Sequence, residues 1–392
     1  MADARQKTGR LRPLPYGANY LDWHDMHELR AAIESRVLFR YQTPEMSQAS
    51  KLEDLAKGLF GVRHALALQN CTQGLRVALV ATQPSVGDVV YVPAVTFVAV
   101  VGAVLSCGLI PVLLDVDDHF RFDFSRLPAD AERAIVAHME GAVNPIRAGC
   151  KYVIEDAAQA LGAHHQDGRM VGACGYAGVF SFHHNKVLTS GEGGLLITNS
   201  DRCYELSRAY HDHGATRVHG AYPTWKAETF FGENLVASEA TAAIQLQQFR
   251  WLDDILAGLE RGYAVMRELV PERGFFSVID RGPGDVKVSL RVLFESTEHR
   301  QRAMDGLRQR QLPHWTLDKY FLPDHPVFRD RQSIYSDGFP WNLVGSIDTA
   351  PCDYSDTRDR LSRLLCLSVS PELTLDEQAA EAEAFGTVLK SF

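Results

Sequence analysis

Residues 152–165 read YVIEDAAQALGAHH, and residues 178–199 read GVFSFHHNKVLTSGEGGLLITN. The first run is an apolar strand, Tyr152 to Glu155, that ends beside consecutive acids and turns through small residues. The second contributes to two more strand-like runs, Ala177 to Phe182 and Gly193 to Thr198, with Lys186 between them.

Asp156 stands thirty residues before Lys186, and hydroxyl and glycine residues surround both. That combination suits a pyridoxal phosphate site: a lysine forms the Schiff base with the cofactor aldehyde, and an acid keeps the pyridine nitrogen protonated so that the ring can take up electrons. Each residue alone has an ordinary alternative, a surface lysine after a strand and a helix-capping acid at a strand end.

Outward from this stretch, 392 residues with 46% hydrophobic and 23% charged content describe a globular chain long enough for a large domain and a smaller one. A formal net charge of −9 without a basic run argues against nucleic acid as a partner. Seven cysteines without a C-x-x-C pair suit reduced thiols, and MADARQKTGRLRPLP has no apolar core of the signal-peptide kind, so a cytoplasmic enzyme is expected. Val89 to Leu114 carries no charge, yet Pro93, Gly102, Gly108 and Pro111 divide it and acids flank it. Strand, buried helix, strand is the expectation there, and not a membrane span.

Helical spacing appears over Trp23–Phe39 and over Ser47–Phe60, the latter with Gly61 as C-cap. Strands follow at Arg63–Gln69, Val89–Val92, Ile110–Leu114 and Ala134–His138, with a helix at Phe97–Cys107, in the alternation of a doubly wound α/β sheet. Asn70-Cys71-Thr72-Gln73-Gly74 is a polar turn opening a helix after a strand, the geometry that leaves backbone N–H groups free for a phosphate, although an ordinary N-cap fits it too. The link 139–151 is too short for a full crossover helix. Further helices are expected from Asp201, over 238–256 and 258–270, over 298–310 and over 376–389, with a strand at Val286–Phe294 and a long loop at 214–233. The domain change falls near residue 250, giving a cofactor-binding part at 1–250 and an α+β part at 251–392.

These residues resemble the DegT/DnrJ/EryC1/StrS family of pyridoxal phosphate-dependent aminotransferases over about residues 30–390. IEDAAQALGA (154–163), SFHHNKVLTSGEGG (181–194), VPAVTFVA (92–99) and NCTQGL (70–75) look like its aspartate, lysine, ring-stacking and phosphate segments, in the family's order. The resemblance implies the aspartate-aminotransferase-like fold type I: a large α/β domain with a mostly parallel seven-stranded sheet, and a smaller α+β C-terminal domain. It implies Lys186 as the Schiff-base lysine and proton shuttle, Asp156 at the pyridinium nitrogen, Gln159 at the ring hydroxyl and Phe97 on the ring face. Ser181 and the backbone of Thr72 and Gln73 would hold the phosphate.

GENLVASE (232–239) stands where the family usually has G-x-N-Y-R. Asn234 matches, implying a homodimer in which that asparagine reaches the partner subunit's phosphate, while Leu235 and Val236 replace the tyrosine and arginine. The implied reaction moves an amino group from glutamate or glutamine to a keto group of a sugar, nucleotide-sugar or cyclitol-like substrate. Arg217, Lys226 and His183 are candidates for substrate contact. A sugar dehydratase on the same fold is the first rival, but its relatives place histidine where Lys186 stands. A regulatory protein that kept the fold and lost turnover is the second. The histidine pairs at 164–165, 183–184 and 211/213 lack zinc spacing, so no metal is expected.

Overall fold

The computed structural model describes residues 16–22, 26–217, 230–270, 272, 274–345 and 347–390. In chain order its elements are α1 (His27–Ser35), α2 (Gln48–Phe60), β1 (His64–Leu68), α3 (Cys71–Val80), β2 (Val89–Pro93), α4 (Val98–Ser106), β3 (Ile110–Leu114), β4 (Arg133–Ala137), β5 (Tyr152–Asp156), β6 (Ala177–Ser181) and β7 (Gly194–Thr198). They continue with α5 (Asp201–Tyr210), α6 (Glu239–Phe249), α7 (Leu252–Leu269), β8 (Phe276–Ile279), β9 (Ser289–Phe294), α8 (Thr297–Gln309), β10 (His314–Trp315), α9 (Pro326–Arg329), α10 (Ser355–Arg363), β11 (Leu364–Ser368) and α11 (Leu375–Leu389).

Seven strands form one sheet in the order β1-β7-β6-β5-β4-β2-β3, and only β7 runs against its neighbours. The expected mostly parallel seven-stranded sheet is therefore present. Strand alternation divides the core. Leu66 and Leu68 of β1 pack with α3 and α4 on one face, while Ala65 and Ala67 face α2 and α6 on the other. A second, antiparallel sheet in the order β10-β11-β9-β8 packs under α7, α8 and α11.

The charge-free stretch 89–114 is β2-α4-β3, as its prolines and glycines suggested. Among the described residues no helix is long and apolar enough to cross a membrane. The link after β4 holds a single turn, Met139–Gly141, also as expected.

Three boundaries differ from expectation. The first helix stops at Ser35 because Arg36 turns left-handed (φ 59°), and the Trp23 end of that expected helix lies outside the described residues. The break expected at residue 257 occurs instead at Arg250–Trp251, and Gly258 lies inside α7. A Cβ at Gly258 would stand 2.4 Å from the carbonyl oxygen of Pro371, so this glycine serves close packing and not a helix end. Strand β9 begins at Ser289, since the Val286 N–H is drawn away to the carbonyl oxygen of Gly141 (3.0 Å).

Candidate active site

β1, β2, β4, β5 and β6 run the same way, so their carboxyl ends open on one edge of the sheet, the place where ligands bind in folds of this kind. Asp156 ends β5 and Ser181 ends β6, while Asn70 and Cys71 follow β1. Phe97 follows β2, and Glu140 follows β4. Antiparallel β7 begins there with Gly194, whose Cβ would stand 2.4 Å from the carbonyl carbon of Asn70. Only glycine lets the turn before α3 lie that close to the sheet.

Asp156 is buried. Its Oδ1 accepts the Ala158 N–H (3.0 Å) and the Cys71 thiol (3.8 Å). Burial raises its proton affinity, partly offset by the Ala158 N–H and the charge of Lys186. Lys186 sits in the β6–β7 link, its carbonyl oxygen accepting the Gly17 N–H at 3.4 Å. Burial lowers the proton affinity of its amine, opposed by Asp156. The structure thus brings the expected acid and lysine into one desolvated space, where each acts on the other.

The expected phosphate residues share this edge. At the start of α3 the amides of Cys71 and Thr72 have no carbonyl of the helix to donate to, whereas the Gln73 N–H is already taken by the Asn70 side chain (2.9 Å). Thr72 is therefore the better phosphate donor of the expected pair. The Ser181 hydroxyl accepts the His183 N–H (3.3 Å), leaving its own proton to give. Phe97, at the N-cap of α4, is half exposed and meets Tyr320 edge-on at 6.2 Å, so it is not a core residue. Asn234 is exposed and its carbonyl oxygen lies 3.3 Å from Gln69 Nε2, at the end of β1. Neighbouring Leu235 is buried, with its amide bonded to the His211 carbonyl oxygen, and Val236 bridges to Leu68.

A cavity of about 330 Å³ is lined by Lys186, Gln159, Glu140, Tyr16, Trp315 and Lys319. Gln159 is held there by the Glu140 N–H, which donates to its Oε1 (2.8 Å).

Glu140 itself, in a left-handed turn (φ 55°), accepts from the Trp315 indole and stands 3.6 Å from Arg281 and 3.7 Å from Arg291. Sequence reasoning did not single out Glu140, Trp315, Lys319 or Cys71 as site residues. They come from three stretches of the chain, around residues 71, 140 and 315–319, and no periodicity links them.

Of the three candidates for substrate contact, Lys226 lies outside the described residues. Arg217 is ion-paired with Asp212 and packed on Phe39 and Tyr41, away from the cavity lining. His183 is bonded to Asn185 (3.0 Å) and lies 3.5 Å from Glu192, also outside that lining. Among the described residues, Glu155, His165 and Cys174 offer ligand atoms within 4.8 Å of one another, but the Glu155 oxygens already accept three backbone N–H groups.

The described residues fit pyridoxal phosphate. They provide a buried acid with one oxygen still open, a desolvated lysine, free amides at a helix start and a backbone cradle that only glycine permits. The fold and this crevice define the class: a fold type I enzyme of the pyridoxal phosphate-dependent kind.

The chain belongs to the DegT/DnrJ/EryC1/StrS aminotransferase family, whose model matches residues 24–384. With that membership comes pyridoxal 5′-phosphate as cofactor, as the sequence had called for.

A GDP-perosamine synthase from Caulobacter vibrioides is 36% identical over 213 residues, 51% of this chain and 56% of that protein, so the chain spans about half the length of this relative. A putative L-glutamine:3-amino-2,3-dideoxy-scyllo-inosose aminotransferase from Streptoalloteichus tenebrarius is 27% identical over 82% of this chain and 83% of its own. Among solved structures, an aminotransferase from Psychrobacter cryohalolentis superposes with a TM-score of 0.80 at 23% identity, over 97% of this chain and 99% of its own.

Proposed function

We propose that this protein is a pyridoxal phosphate-dependent aminotransferase that moves an amino group from glutamate or glutamine to a keto group of a sugar, nucleotide-sugar or cyclitol. It would act in amino-sugar or natural-product biosynthesis, in the cytoplasm. The observation that carries this is Lys186 in the lining of a cavity large enough for a small polar substrate, with buried Asp156 within electrostatic reach of its amine. The names of the relatives, which concern a perosamine and an amino-inosose, support the substrate class.

Pyridoxal phosphate, when bound, supplies the electron sink that makes an α-proton of the amino acid acidic. Asp156 would hold the pyridine nitrogen protonated, which its burial beside Lys186 favours only when a cation faces it. Phe97 would cover the ring face, Gln159 would meet the ring hydroxyl, and the Thr72 amide and Ser181 hydroxyl would take the phosphate. Gln73 would help through the helix start, although its N–H is engaged.

Lys186, desolvated and therefore neutral more readily, would take the proton from the α-carbon of the donor and hold it for return in the next proton transfer. The same amine would run these transfers in reverse on the keto substrate. Exposed Asn234 would complete the phosphate site of a partner subunit in a homodimer, with residues 1–250 as the cofactor-binding part and 251–392 as the smaller one.

The test is the visible absorption of the purified, cofactor-loaded protein. A yellow band that disappears in Lys186→Ala is expected, with amino transfer lost. A wild type that shows no such band after reconstitution would sink the proposal. A sugar dehydratase is disfavoured by the same residue, since the amine of Lys186 can both link the cofactor and carry the proton.

A further inference from the structure

An amino acid that gives up its nitrogen at Lys186 brings a carboxylate into the same crevice, and a carboxylate leaving water needs a cation or several N–H donors. Arg217, the arginine expected to meet an anion, is committed to Asp212. Among the described residues that line the cavity, the basic side chains are Lys186, His314 and Lys319. Lys186 is the reacting amine. His314 is tethered through Nδ1 to the carbonyl oxygen of Leu312 (2.8 Å) and offers the cavity one ring nitrogen. Lys319 remains, with three donors on a flexible stem.

Its place is set firmly. Thr96 donates its N–H to the carbonyl oxygen of Tyr320 (2.9 Å), and Leu322 donates its own to that of Ala94 (2.9 Å), while Val95 and Phe321 form a bridge. The segment bearing Lys319 is thereby stitched to the loop that ends in Phe97. Asp318, the acid next to it in sequence, is turned toward Arg300 at 2.8 Å. The Lys319 ammonium stands 5.0 Å from the centre of the Tyr320 ring and, among the described residues, makes no ion pair. Two carboxylates line the cavity: Glu140 is already held by Trp315, Arg281 and Arg291, and Glu372 is not free either. Lys319 also adds to the lowering of the proton affinity of Lys186, which places the two amines within electrostatic reach.

We propose that Lys319 binds the carboxylate of the amino donor at the mouth of the cavity and so sets its approach to Lys186. This rests on the aminotransferase function proposed above. A charge-assisted contact of this kind contributes about tenfold or more to donor binding. An anionic group on the keto substrate would share the same chemistry, so the test isolates the donor.

Cofactor-loaded wild type, Lys319→Gln and Lys319→Arg are mixed with L-glutamate or L-glutamine and no keto substrate, and the bleaching of the visible band is followed against concentration. For Lys319→Gln the half-saturating donor concentration should rise about tenfold or more, with the limiting rate much less changed. Lys319→Arg should restore most of the binding. A merely structural residue would instead lower the limiting rate or the melting temperature, and the arginine would not rescue it.

Unchanged half-saturation in Lys319→Gln would overturn the assignment of Lys319 alone, leaving its ammonium to the keto substrate. A wild type that carries the band yet bleaches with neither amino acid would overturn this proposal together with the donor half of the proposed function.

Discussion

Glu155 and Asp156 are consecutive carboxylates at the end of β5, both buried, whose proton affinities move in opposite directions. Strand alternation sends them to opposite faces of the sheet. Glu155 meets five donors: the Gly172, Cys174 and Gly175 N–H groups at 2.9, 2.8 and 2.6 Å, and the rings of His138 (3.1 Å) and His165 (3.3 Å). Among the described residues, Asp156 meets only the Ala158 N–H and a weak thiol donor. One acid is an anchor of the fold; the other is left open for a ligand.

Glu155→Gln should therefore destabilise the protein. Burial alone would raise the proton affinity of Glu155, but the two histidines and the backbone N–H groups outweigh it, so its carboxyl is held well below the usual range. A depressed folded value contributes stability that is present above the unfolded value of 4.5 and is lost as pH falls through the folded one. Glutamine turns an NH₂ toward some of those donors, at a cost of about 3–5 kcal/mol. Urea unfolding at pH 7 should show this loss, and the gap to wild type should narrow only below about pH 4.5.

Asp156→Asn should act the other way on the cofactor-free protein. Burial raises the folded proton affinity of Asp156 above its unfolded value of 3.8, so its ionised form opposes folding. That penalty grows as pH rises from 3.8 through the folded value and stays beyond it. Cofactor-free Asp156→Asn should melt above cofactor-free wild type at neutral pH and lose that advantage in acid. Its affinity for pyridoxal phosphate should fall at the same time. A variant that melts lower at neutral pH would contradict the desolvation argument.

Gly194→Ala should weaken cofactor binding by moving the start of α3. The added Cβ meets the carbonyl carbon of Asn70 at 2.4 Å, a backbone atom that yields only if the turn shifts. Overpacking of this kind costs about 1–3 kcal/mol. Titrating the cofactor-free variant with pyridoxal phosphate should show weaker binding than a comparable substitution at Gly58, inside α2, where an added Cβ meets nothing within 4 Å. Equal affinities would mean that the turn does not hold the phosphate.

Much of this was legible in the chain because it is local. Apolar runs bounded by Gly and Pro marked every strand of the large sheet to within a residue or two, and Ser47 and Gly61 bracket α2 as a cap pair does. The break expected between Leu256 and Gly258 fell instead at Arg250–Trp251, since the glycine taken to start a new helix is one that lets two backbones touch. Arg217 looked like an anion contact because its loop is rich in polar and aromatic residues, but Asp212, five residues earlier, holds it.

The sequence by itself pointed to the cofactor chemistry: an acid and a lysine lie on either side of β6 in one continuous stretch, 152–199, so two neighbouring parallel strands carry both to the same sheet edge. Only the tertiary structure decided what surrounds them. Glu140, Trp315 and Lys319 line the cavity beside Lys186, and their segments meet where Glu140, after β4, reaches Trp315 of β10 and Arg291 of β9 and where residues 320–322 bond to residues 94–96. No spacing in the chain encodes a meeting that depends on how two sheets close on each other.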